Sequence, residues 1–109
     1  MQAMSALAST RDPRAVPTLV DVMKNGPDEA LRMEAARELA ALDADPRAGE
    51  ALRTATTSDP SAYVRLAALR SLSGVNDPSL PALLETIATR DRDAGVRLLA
   101  GQLLADLRR

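Results

Sequence analysis

Leu31-Arg32-Met33-Glu34-Ala35, Val64-Arg65-Leu66-Ala67-Ala68 and Val96-Arg97-Leu98-Leu99-Ala100 are three versions of one stretch, set 33 and then 32 residues apart. The dipeptide Asp-Pro, at Asp12-Pro13, Asp45-Pro46 and Asp77-Pro78, keeps the same two intervals. A period of this size, shared by two landmarks, marks an array of small stacked units. Within a unit the apolar residues fall at helical spacing and are interrupted once. In the first, Val16, Leu19, Val20 and Met23 follow i, i+3, i+4, i+7; Asn25-Gly26-Pro27 breaks the run; then Leu31, Ala35, Leu39 and Leu42 resume it. The third repeats this with Leu80, Leu83, Leu84 and Ile87, then Val96, Ala100, Leu104 and Leu107. Each unit therefore reads as a helical hairpin. The middle one is weaker, because Gly49, Arg53 and Thr56 stand at apolar positions and leave Leu52 with Ala48, Ala51 and Ala55. Its first helix is predicted to be the least stable. Pro17 and Pro81 follow the Asp-Pro pairs closely, which predicts a short turn with the helix beginning near the second proline. Asp28, Ser61 and Asp93, three residues before Leu31, Val64 and Val96, are predicted N-caps of the second helices.

Composition narrows the chemistry. Of 109 residues, 46% are hydrophobic, enough for one folded domain, yet Tyr63 is the single aromatic. A core of Leu, Ala, Val, Ile and Met suits closely spaced helices. With 14 basic and 15 acidic side chains the net charge is −1, which gives no global attraction to nucleic acid or an anionic membrane. No apolar run approaches the roughly 20 residues of a membrane span, and the N-terminus, with Arg11 as its first basic residue, lacks a signal-peptide pattern, so the expected location is cytoplasmic. Without Cys or His the chain has no thiolate and no imidazole for nucleophilic, acid-base or metal chemistry.

The run Asp12-Pro13-Arg14-Ala15-Val16-Pro17-Thr18-Leu19 resembles the first-helix motif of HEAT repeats, especially the bacterial phycobilisome-lyase-like type. Asp91-Arg92-Asp93-Ala94-Gly95-Val96-Arg97 is similar to that family's turn and second-helix start, Asp-x-Asp-x-x-Val-Arg. The middle unit has Ser61 for the second Asp, and the first has Gly26 for the first Asp and Leu31 for Val. The resemblance implies an all-α fold, a short right-handed α-solenoid of about three hairpins with the second helices on the concave side. We expect one domain over 1–109, with a partial helix at 1–8 and repeats at 12–42, 45–75 and 77–107. It further implies that Arg32, Arg65 and Arg97 meet turn carboxylates, drawn from Asp28, Asp59, Asp91 and Asp93, in a ladder that fixes register more than it adds stability. The word lyase in the family label is weak evidence for lyase activity, since three units offer little pocket to hold a bilin.

The candidate binding surface lies on the concave face of the second helices, opposite their core-facing side. At about 100° per residue, with Val64 at zero, Ala68 and Val75 fall near 40° and 20°, while Leu66 and Arg70 fall near 200° and 240° and point to solvent. Applied to all units this gives one exposed column of Met33, Leu66 and Leu98, a second of Arg37, Arg70 and Gln102, and a flatter third of Ala41, Gly74 and Asp106. Tyr63 stands on the rim. An apolar stripe flanked by guanidinium groups suits an amphipathic protein or peptide segment bearing carboxylates, and a lone aromatic beside it has the chemistry of an anchor. The alternative is that Leu66 packs against a neighbouring helix and Tyr63 covers the hairpin turn.

No catalytic constellation emerges. Asp43 with Asp45 and Asp91 with Asp93 sit in turns, Glu34 and Glu38 sit with Arg37 on a helix surface, and the five glycines form no phosphate loop. The expectation is a non-enzymatic protein-binding scaffold with no cofactor and no metal. Nucleic-acid backbone binding along the arginines is disfavoured by Glu34, Glu38 and Asp106 and by the scarcity of aromatics. An assembly module is the other alternative, because the last helix carries Leu98, Leu99, Leu103 and Leu104 where the first unit has Met33, Glu34, Glu38 and Leu39. Such a helix needs cover from its own hairpin, from further repeats, or from a homodimer through Leu99 and Leu103. The repeat reading predicts a far-UV circular dichroism spectrum dominated by helix; a substantial sheet component would contradict it.

Overall fold

The computed structural model describes residues 14–75 and 77–108, and its regular elements there are six helices and no strand. They are α1 Ala15–Asn25, α2 Glu29–Ala40, α3 Pro46–Ser58, α4 Ala62–Ser73, α5 Leu80–Arg90 and α6 Ala94–Leu107. The fold is the all-α hairpin repeat that the sequence period predicts. The helix expected at 1–8 lies outside the described residues. By contact the chain divides into two compact units, one up to Val75 and one from residue 76.

The helix starts follow local chemistry. Asp28 Oδ1 accepts from Ala30 N at 2.9 Å, Ser61 Oγ from Val64 N at 3.4 Å and Asp93 Oδ2 from Val96 N at 3.0 Å, so all three predicted caps are in place. Each satisfies a donor that the first turn of a helix cannot satisfy itself. In α3 the cap is Asp45, whose Oδ1 accepts from Arg47 N at 2.9 Å, and Pro46 fills the first helical position, where a missing N–H is harmless. Arg47 also folds back so that its Nη2 lies 2.6 Å from Asp45 Oδ2. That side-chain hydrogen bond, then the backbone bond from Arg47, holds the Asp45 carboxyl below its ordinary value of 3.8 and keeps the cap ionised. Of the two second prolines, Pro17 lies inside α1 and Pro81 inside the first turn of α5, close to where the helices were expected to begin.

Residues 14–75 form two stacked hairpins. Helix α1 packs on α2 and α3, α4 packs on α2 and α3, and α2 also touches α3. Of the apolar residues expected in the core between them, Val16, Leu19, Met23, Ala35, Leu39, Leu42, Leu52, Val64 and Ala68 are buried, joined by Leu69 and Leu72, whereas Val20, Leu31 and Val75 are half-buried. Each fully buried leucine contributes about 1.5–3 kcal/mol relative to an exposed one. Helix α3 forms over its full length in spite of its weak pattern. Its Thr56 is completely buried, and the hydroxyl donates to Arg53 O at 2.6 Å, which removes the cost of an unpaired polar group.

A polar tie crosses between these hairpins. Arg32 on α2 reaches Asp59 in the following turn, Nε to Oδ2 at 3.0 Å and Nη2 to Oδ1 at 3.3 Å, and its Nη1 donates to Gly26 O at 2.9 Å. Arg65, 3% exposed, donates to Asp59 O at 2.9 Å and Pro60 O at 3.2 Å. Arg97 donates to Asp91 O at 2.6 Å. The arginines thus hold the turns as expected, partly through backbone carbonyls. Asp28 and Asp93 differ from the expectation as rungs, because their carboxylates cap α2 and α6. The Ser61 hydroxyl adds a second tie by donating to the Glu29 carboxylate of the preceding hairpin.

In the unit from residue 77, α5 packs on α6 and buries Leu80, Leu84, Ile87, Val96, Ala100 and Leu104. Leu107, expected in that core, is 51% exposed. Helix α6 has 14 residues against 11 in α5, a difference in length of about 4.5 Å. Leu99 and Leu103 are half-buried. No helix among the described residues is long and apolar enough to cross a membrane.

Arg65→Ala strips two turn carbonyls of a buried charged donor and is expected to cost about 2 kcal/mol. The exposed change Arg70→Ala should stay within about 0.5 kcal/mol. Chemical denaturation of both variants checks this, and equal, negligible effects would contradict the assignment of the two faces.

Candidate functional site

Tyr63, Leu66, Ala67, Arg70 and Ser71 sit at i, i+3, i+4, i+7 and i+8 on α4, a spacing that gathers them on one helical stripe. Met33 and Arg37, one turn apart on α2, stand beside it. Because α2 and α4 pack side by side, the seven residues line one groove of about 180 Å³. Met33, Leu66 and Ala67 are half-buried and form the apolar part of its lining. Tyr63 is 64% exposed at the end near the α4 N-terminus. Arg37 and Arg70 are exposed at the other end, in the last turns of their helices, where a cation also complements the helix dipole.

The two cations are not equivalent. Arg37 pairs with the Glu34 carboxylate one turn earlier on α2. Among the described residues no hydrogen bond or ion pair engages the Arg70 guanidinium. The groove therefore carries one uncompensated positive charge, at the end away from Tyr63.

Five of the seven residues expected on the binding surface meet here: Met33, Arg37, Tyr63, Leu66 and Arg70. Leu98, 64% exposed, and Gln102, also exposed, belong to α6 in the other unit. Ala41, Gly74 and Asp106 are exposed as the angles predict. Leu66 is half-buried, between the two readings of it, while Tyr63 stands open. Sequence reasoning missed Ala67 and Ser71; their signal was the i+4 and i+8 relation to Tyr63. A second cavity, about 230 Å³ beside Met23 and Thr54, contains the Arg32–Asp59 pair, which is committed to joining the hairpins.

A site that encloses a drug-sized molecule has about 300–1,000 Å³. The α2–α4 groove is smaller and open. It fits one side chain, or one ring, of a larger partner.

The family model for HEAT repeats matches residues 1–73, and the chain belongs to that family. It is also 36% identical over 110 residues to phycocyanin alpha phycocyanobilin lyase CpcF of Synechocystis sp.. That alignment covers 97% of this chain and 48% of the relative, so the chain spans about half the length of the curated relative it matches. No solved structure matches.

The relative corrects two expectations. It is named as an enzyme, so the readings "not an enzyme" and "non-enzymatic scaffold", with their nucleic-acid and assembly alternatives, do not stand. The error has a chemical source. An internal nucleophile, acid-base pair or metal cluster is one route to catalysis, whereas a lyase forms or breaks a bond at a double bond and can draw its reacting groups from the substrates. Absence of a constellation is then no argument against activity.

Since Tyr63 and Leu66 project into the groove, Tyr63→Ala and Leu66→Ala should leave helicity unchanged. The Tyr63 variant in particular should keep stability within about 0.5 kcal/mol of wild type by thermal melting.

Proposed function

Proceeding from membership in the HEAT repeats, we propose that this chain is a module of a bilin lyase that acts on a phycocyanin-type protein and an open-chain tetrapyrrole. The observation that carries this reading is the identity of 36% over 97% of the chain with a phycocyanin alpha phycocyanobilin lyase. The role we assign to the described residues is recognition of the acceptor protein. The α2–α4 groove supports that role over enclosure of the pigment, because about 180 Å³ holds a side chain and not a tetrapyrrole. Met33, Arg37, Tyr63, Leu66 and Arg70 are its contacts; in the unit that holds α6, Leu98 and Gln102 are assigned as contacts of that unit by itself. An aromatic with exposed guanidinium groups around a half-buried apolar floor is the composition of a protein interface centre. We place the module in the cytoplasm together with the acceptor protein that this reading assigns to it.

The test is to incubate the purified chain with the pigment-free phycocyanin alpha subunit and phycocyanobilin. Pigment that stays with the subunit through denaturing electrophoresis is then scored. Attachment above the enzyme-free background, together with measurable binding of the alpha subunit, is expected. Background attachment with no binding of the subunit would overturn the reading.

A further inference from the structure

We propose that the α2–α4 groove takes a helical segment of the acceptor protein that presents an apolar side chain at one end and a carboxylate two turns away, and that Arg70 is the residue that reads the carboxylate. The proposal rests on the reading of the chain as a module that engages an acceptor protein.

Three features of the groove carry it. The first is shape. Its longer wall is the stripe Tyr63, Leu66, Ala67, Arg70, Ser71, which runs parallel to the α4 axis, and its other wall, Met33 with Arg37, belongs to the neighbouring helix. A trough between two packed helices matches the ridge of a third, as in helix-in-groove recognition. The second is polarity along the trough. Tyr63 and Arg70 are seven residues apart, so the apolar and cationic ends are separated by about 10 Å along the helix. A partner helix matches that distance with residues at i and i+7. The third is charge. Glu34 neutralises Arg37 within α2, and among the described residues nothing neutralises Arg70. The fit is therefore to an anion opposite Arg70 and to an uncharged side chain beside Tyr63. The small volume of the groove favours an inserted aliphatic or aromatic side chain from a helix over a whole tetrapyrrole.

The experiment measures fluorescence anisotropy of overlapping synthetic peptides that span the phycocyanin alpha subunit, with the full chain as wild type, Tyr63→Ala, Arg70→Glu and the remote control Lys24→Glu. Circular dichroism verifies that each variant is folded. The expected result is that the binding peptides carry an apolar residue and an Asp or Glu seven positions apart. Tyr63→Ala and Arg70→Glu should each weaken them about tenfold or more, and Lys24→Glu should leave them unchanged. Replacing the peptide's carboxylate by Lys should restore binding to Arg70→Glu and abolish it for wild type. Absence of any wild-type peptide binding overturns the proposal, as does binding indifferent to both groove variants or equally sensitive to Lys24→Glu. Displacement of the peptide by phycocyanobilin alone also overturns it, by assigning Arg70 to the pigment. The two readings separate cleanly. Pigment attachment by wild type with peptide binding blind to Tyr63 and Arg70 overturns the groove and leaves the lyase standing. Peptide recognition as expected without attachment supports the groove and counts against the lyase.

Discussion

The bidentate contact of Arg32 with Asp59 joins one hairpin to the next, and the placement of α2 beside α4 depends on it. The side chains of the pair are 14% and 6% exposed, so desolvation consumes much of their attraction. Their value is geometric. Aliphatic faces made of Leu, Ala and Val can slide past one another at little cost, whereas a guanidinium that must meet one carboxylate and the Gly26 carbonyl together accepts a single register. Arg65 then secures the same turn from behind through the Asp59 and Pro60 carbonyls. One aspartate is thus gripped from both sides, through its side chain by the preceding hairpin and through its backbone by its own.

Reading the sequence recovered most of this because the determinants are local and repeated. Asp28, Ser61 and Asp93 cap the second helices where spacing placed them, and the buried faces follow the 3.6-residue period. The misses are of another kind. Which carboxylate an arginine meets is decided by competition, and Asp28 and Asp93 were lost to backbone N–H groups nearer than any guanidinium. The exposed Leu107 falls at the end of the longer helix of its hairpin, and periodicity does not encode that difference in length. Five groove residues follow from one helix-face angle applied to two second helices, whereas Ala67 and Ser71, although i+4 and i+8 from Tyr63, lie outside that angle.

Function was less legible for a related reason. Catalytic residues announce themselves in sequence when the protein supplies the reacting atoms. Here the chain resembles a lyase whose name pairs a protein with a pigment, and a module of such an enzyme can contribute by holding and orienting. Surfaces that orient are built from Tyr, Leu, Met and Arg, the same residues that ordinary interfaces use. The distinction between scaffold and enzyme therefore does not lie in composition. It came from likeness to a named relative.

Both polar ties between the first two hairpins, Arg32 with Asp59 and Ser61 with Glu29, involve the turns that open α2 and α4. Arg37 and Arg70 lie toward the far ends of those helices. The arrangement is mechanically a pair of tweezers riveted at one end. Tilting one helix by a few degrees about the rivet moves a tip about 10 Å away by roughly 1 Å, enough to alter what the tips grasp. Residues at the rivet can consequently retune selectivity without ever touching what is held, and a substitution there would change fit while the jaws themselves stayed identical.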